Sequence, residues 1–232
     1  GSSSHIASMV SALEQEYGAV TVLCLGSPEL PLLEQTGGVV IHRYPAGQRE
    51  LLARATGFAQ FVSLHTSRLR GELELIVFRD PWGGLPAMSA ADGIPSIFEV
   101  NALPSWELGY SRPGFTRSPA LMTKLGDMER RCLREAAAVL CVSGVTQRAL
   151  VMEGVAAGSV TVVPNAASPI YFDGGPCSLP ALEEGEWCAY VGGLQPWQGV
   201  EFLLDAFAWT SRGRLLIVHS GNRGTRELER RI

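Results

Sequence analysis

Residues Cys132 to Asn165, CLREAAAVLCVSGVTQRALVMEGVAAGSVTVVPN, decide the fold. They continue a helix predicted from Pro119 to Ala137, in which Leu121, Leu125, Met128, Cys132 and Leu133 recur at the spacing of one apolar face. Val139 to Val142 (VLCV) is a short, wholly apolar run, the pattern of a strand covered on both sides. A second helix follows over Thr146 to Glu153, and a second strand over Val160 to Val163 (VTVV) stops at Pro164 and Asn165. Strand, helix and strand in this rhythm imply parallel neighbours joined by crossovers.

Working toward the amino end, the same alternation persists. Ile94 to Val100 (IPSIFEV) and Leu73 to Phe78 (LELIVF) read as strands, with a short helix over Leu85 to Ala91 between them. Arg49 to Leu69 is predicted to be a helix through Leu51, Leu52, Ala55, Phe58, Phe61 and Val62, and Val39 to His42 and Ala19 to Leu25 are further strands. Gly-Ser-Ser at the start looks like vector sequence, yet Ile6, Met9, Val10 and Leu13 share one helical face, which favours a native helix ended by Gly18. Asn101 to Ser118, rich in Pro and Gly, is expected to be a long loop. The whole is an α/β chain with a Rossmann-like, doubly wound parallel sheet, whose ligands belong outside the carboxyl ends of the strands.

Toward the carboxyl end the pattern breaks. Ala166 to Glu186 has linker composition, so residues 1–165 are expected to form the first domain and 166–186 the linker. Residues 187–232 then begin a second Rossmann-like unit, with strands Trp187 to Val191 and Leu215 to His219, a helix from Val200 to Trp209 between them, and a helix opening at Thr225. That unit is expected to be truncated, since so short a stretch cannot bury a core of its own. An unpaired edge in it would favour pairing with a second copy, a homodimer.

The 232 residues are 46% hydrophobic and 18% charged, which excludes a disordered or collagen-like chain. Nineteen Lys and Arg against 23 Asp and Glu leave a net charge of −4, which argues against nucleic acid as a partner. The apolar runs fall far short of the ~20 residues that span a bilayer. Five cysteines without paired spacing suit reduced thiols in a cytoplasmic protein, and no metal-ligand spacing appears.

Cys132 to Asn165 resembles the family-4 retaining glycosyltransferases of the GT-B fold, in its helix, strand, Ser-x-x-Thr turn, Gly-Val and V-x-V-x-P-N end. VGGLQPWQGVEFLLDAFA, from Val191 to Ala208, is similar to the opening of that family's donor domain, and FRDPWGGLP and FEVNALPSWELGY resemble acceptor-domain loops of a bacterial branch. The likeness implies a GT-B N-terminal domain acting on a nucleotide diphosphate sugar as donor substrate, with a carbohydrate or lipid-linked acceptor and no cofactor. Work on a polysaccharide or glycoconjugate would place it in the cytoplasm, at the inner face of the membrane. It also implies a strand before Gly1 and the family's pair of donor carboxylates beyond Ile232, so the catalytic residues stay unassigned and residues 1–232 alone are expected to be inactive.

Candidate site residues follow from the same comparison. Gly1, Ser2 and Ser3 would offer helix N-terminal N–H groups to a phosphate, the alternative being a vector remnant or an ordinary cap. His5 is a candidate cleft residue, against the commoner structural histidine. Glu99 and Asn101 lie at the carboxyl end of a strand. The family's histidine falls on Asn101, which can hydrogen-bond a hydroxyl but cannot exchange protons near neutral pH. Asp80 and Trp82 also follow a strand, and an indole face suits a sugar ring as well as it suits packing. In the second unit Gly192, Gly193 and Gln198 fall at the donor phosphates, but Gly193 and Gln198 replace a basic pair, with Arg223 and Arg226 as other sources of charge. Ser143, Thr146 and Asn165 are read as caps, and Arg130, Arg131 and Arg134 as a solvated helix face or a contact for anionic lipid.

Overall fold

The computed structural model describes residues 2–45, 47, 50–167, 172, 174, 185–195 and 198–219, with residues 2–4 described by backbone alone. The chain divides into two compact units, Gly1–Pro104 with Thr123–Ala166, and Ser105–Met122 with Ala167–Ile232.

The first unit opens with α1 (Ser2–Tyr17), then β1 (Val20–Leu25), β2 (Leu33–Thr36) and β3 (Val39–Tyr44). β1 pairs parallel with β3, but β2 pairs antiparallel with β3, so the sheet is not purely parallel as the alternation suggests. β2 (LEQT) carries no strand signal in the sequence because it is short and polar, as an edge strand can be. α2 (Leu51–Leu69) leads to β4 (Ile76–Phe78), α3 (Pro81–Ala90) and β5 (Ser96–Val100), and α6 (Pro119–Glu135), which belongs to this unit from Thr123 onward, β6 (Ala138–Cys141), α7 (Gly144–Met152) and β7 (Val160–Val162) complete it. Strands β4, β5, β6 and β7 form one all-parallel sheet in that order.

Central strand β5 carries the core. Phe98 and Val100 are fully buried, and around them Leu125, Cys132, Val139, Cys141 and Leu150 are shut from solvent. Phe78 of β4 stacks on Phe98 with ring centroids 4.7 Å apart. α3 can lie against that stack because Gly84 has no side chain: a Cβ there would run into the Phe78 ring. α3 also begins earlier than predicted. Asp80 caps it, accepting from the Gly83 N–H at 2.9 Å, and Pro81 occupies the first turn. Ser143 caps α7 in the same way, accepting from the Thr146 N–H at 3.1 Å.

The second unit holds a βαβ element: β8 (Trp187–Val191) and β9 (Arg214–Val218) pair in parallel, with α8 (Val200–Ala208) between them in sequence. Gly199 enters α8 in the left-handed region, at φ 70°, where only glycine sits without strain. The predicted loop from Asn101 to Ser118 is instead largely helical, as α4 (Pro104–Ser111) and α5 (Pro113–Thr116). The helix expected from Thr225 lies outside the described residues.

Candidate functional site

Alternation along β5 puts Phe98 and Val100 on the core face and Glu99 and Asn101 on the other. Asn101 is the first residue past the carboxyl end of that strand, and Arg79 is the first past the end of β4 beside it. His5 comes from the second turn of α1. These four side chains meet at a single atom, Glu99 Oε1. The Asn101 Nδ2–H donates to it at 2.9 Å, and His5 Nε2 and Arg79 Nε lie 3.0 and 3.3 Å from it as ion-pair contacts, the Arg79 Nε–H being buried and making no hydrogen bond among the described residues. The Glu99 side chain is only 6% exposed, whereas His5 is 30% and Arg79 21% exposed, so a buried carboxylate is reached through a partly open rim. Its second oxygen, Oε2, is buried with no hydrogen-bond partner among the described residues.

The candidate residues therefore divide. His5, Glu99 and Asn101 come together; Arg79, not singled out from the sequence, joins them, and its place at a strand's carboxyl end next to Asp80 was the available signal. Asp80 is committed to the cap of α3. Burial pushes its carboxyl above the ordinary range, against the Gly83 and Trp82 N–H groups and the Arg79 charge, which pull it down. Trp82 is half-buried in the first turn of α3. Ser2 and Ser3 open α1, and Gly1 lies outside the described residues. In the second unit, Gly192 donates to Val218 O at 3.0 Å and Tyr190 donates its hydroxyl to Gly193 O, which pins the turn after β8. Gln198 is exposed, and its N–H donates to Gln195 O at 2.9 Å. Arg223 and Arg226 lie outside the described residues.

All three arginines on α6 pair with acids of that helix, Arg130 with Asp127, Arg131 with Glu135 and Arg134 with the same Glu135 at 4.0 Å. Among the described residues no group of His, Cys, Asp and Glu is placed to hold a metal ion, and no helix is long and apolar enough to cross a membrane.

A Rossmann-like α/β domain with polar side chains gathered at the carboxyl ends of its strands defines the class. The family model of the glycosyl transferase 4-like domain matches residues 1–166, and the chain belongs to that family. Sucrose-phosphate synthase from Thermosynechococcus elongatus is similar in fold, with TM-score 0.75 and 17% identity over 99% of this chain and 61% of that one. HepE of Anabaena, solved in complex with UDP-glucose, gives TM-score 0.58 and 16% identity over 83% of this chain and 51% of that one. The same protein solved with UDP gives 0.53 at 17% identity. The chain thus spans 61% and 51% of the lengths of these two GT-B neighbours. No curated protein sequence matches it.

Proposed function

We propose that this chain is the acceptor-side part of a retaining glycosyltransferase, which moves a sugar from a nucleoside diphosphate sugar to a hydroxyl acceptor. The observation that carries the reading is the convergence of His5, Arg79 and Asn101 on buried Glu99, at the carboxyl ends of β4 and β5 in a domain of this family. The UDP-glucose and UDP complexes of HepE support a nucleotide sugar as donor. In such a reaction charge develops on the leaving diphosphate, where helix N-termini and basic side chains lower the barrier. Arg79 is a guanidinium within the cluster, ion-paired with Glu99.

The test is calorimetric titration of UDP-, GDP- and ADP-sugars into the full-length protein, followed by NMR of the product. One nucleotide should bind, and the new glycosidic bond should keep the donor's anomeric configuration. No binding and no transfer with any of them would overturn the reading. Neutral Gly193 and Gln198 favour a second reading, a carbohydrate-binding module without chemistry, which predicts sugar binding but no turnover. An epimerase or phosphorylase of the same fold would instead release a sugar isomer or a sugar phosphate.

A further inference from the structure

We infer that a cavity at the amino end of β5, the end away from Glu99, is a second binding site, and that it takes a small organic cation, a primary amine on an aliphatic stem. The inference does not depend on the glycosyl-transfer reading. The cavity holds about 620 Å³, within the range of small-molecule sites, and opens between the carboxyl ends of α3 and α6 beside the first residue of β5. That residue, Ser96, lies deepest in its lining. It is only 3% exposed, yet its hydroxyl makes no hydrogen bond among the described residues. A hydroxyl this deep is costly until a partner reaches it.

The walls set the sign of the ligand. Met88 and Ser89 belong to the last turn of α3, and the carbonyls of Met88, Ser89 and Ala90 accept no hydrogen bond among the described residues. Glu135 ends α6 at the same cavity, so two helix carboxyl ends, each with a partial negative charge, line it together. The Glu135 carboxylate is occupied: Arg131 donates to it through Nε at 3.1 Å and Nη2 at 3.3 Å. Asp92 has no such partner. Its carboxylate makes no ion pair or hydrogen bond among the described residues, while its carbonyl accepts from Arg70 Nη2 at 3.0 Å, which ties down the turn after α3. One unpaired carboxylate, two helix carboxyl ends and a hydroxyl able to accept favour an ammonium. An anion would find only Arg131, already bound to Glu135. Met88, Ile94 and Pro95 supply apolar surface for the stem.

Amide NMR of the full-length chain labelled with 15N tests the site, with probes that share one stem: pentylamine, 1-pentanol and pentanoate. At neutral pH the first is a cation, the second neutral and the third an anion. Pentylamine should move the Gly93 and Ile94 amides along a saturating curve with a Kd of about 1–10 mM at low salt, the affinity of a small ligand with few anchoring groups. Pentanol and pentanoate should leave both amides where they are at the same concentrations. Asp92→Asn, a change at an exposed side chain, should weaken pentylamine about threefold to tenfold, and Ser96→Ala about threefold. No saturable shift below about 50 mM pentylamine, an equal response to pentanol or pentanoate, or an unchanged curve in Asp92→Asn would each overturn the inference. None of these readouts uses sugar transfer, so a full-length protein that transfers nothing would remove the transferase reading and leave the amine site standing. Normal transfer without pentylamine binding would do the reverse.

Discussion

Cys132 shows what burial does to a side chain whose chemistry is otherwise familiar. It sits on α6 with no exposed surface, and burial first, then the negative charges of Asp80 and Glu135, push its thiol up to about 12. At pH 8 only about one in ten thousand such thiols is the reactive thiolate. Cys188 on β8 is exposed. Iodoacetamide should therefore alkylate Cys188 in the folded protein and leave Cys132 and buried Cys141 untouched until denaturant is added, as peptide mass mapping would show. Rapid labelling of Cys132 without denaturant would mean that α6 leaves the sheet readily. The same scale explains which site residues are legible in the sequence. Strand ends mark where ligands sit, so Glu99 and Asn101 stand out. That Arg79 and His5 reach the same oxygen as Asn101 depends on the packing of α1 and of the β4 end, which no local pattern records. Glu129, buried on α6 although charged, leaves no sequence signal either.

At the scale of elements, the junction between α3 and β4 depends on one missing side chain. Gly84 is buried, and its Cα faces the Phe78 ring that stacks on Phe98. Gly84→Ala has to shift either the helix or the ring pair. Overpacking of this kind costs about 1–3 kcal/mol, even though alanine favours helix over glycine. Urea denaturation should show that loss, whereas a more stable variant would mean the ring moves aside freely. Helix propensity and packing point in opposite directions here, and packing is expected to win. The helices that begin where the sequence reading expected loop share a physical cause. α3, α4, α5 and α6 all begin at a proline: Pro81, Pro104, Pro113 and Pro119. Proline inside a helix is a breaker, but its fixed φ and missing N–H suit the first turn. Reading it only as a breaker turns the stretch from Asn101 to Ser118 into a loop. Periodic runs such as Leu51–Leu69 and apolar runs such as Trp187–Val191 are legible because their hydrophobic pattern is contained within the segment itself.

For the molecule as a whole, two partly buried groups pull the pH dependence of stability in opposite directions. Asp80, the cap of α3, has its carboxyl raised above its ordinary 3.8, chiefly by burial. Above pH 3.8 and up to that raised value the folded chain holds more protons than the unfolded one, so this contribution is full at low pH and is lost as pH rises through the folded pKa. His65 on α2 behaves oppositely. Its ring lies against Phe61 and against His42 of β3, at centroid distances of 4.4 and 4.6 Å. Burial, then the His42 ring and the Arg68 charge, depress its pKa below the ordinary 6.5, so its contribution is full above 6.5 and is lost as pH falls through the folded value. Asp80→Asn keeps a competent cap while removing the charge, and it should gain on the wild type as pH is raised from about 4 to about 6. His65→Gln removes the other titration and should gain on the wild type as pH is lowered from about 7.5 to about 5.5. Urea midpoints measured across these ranges separate the two contributions. Curves for both variants that run parallel to the wild type would show that neither group governs the acid response, and the carboxylates of the surface would then have to account for it.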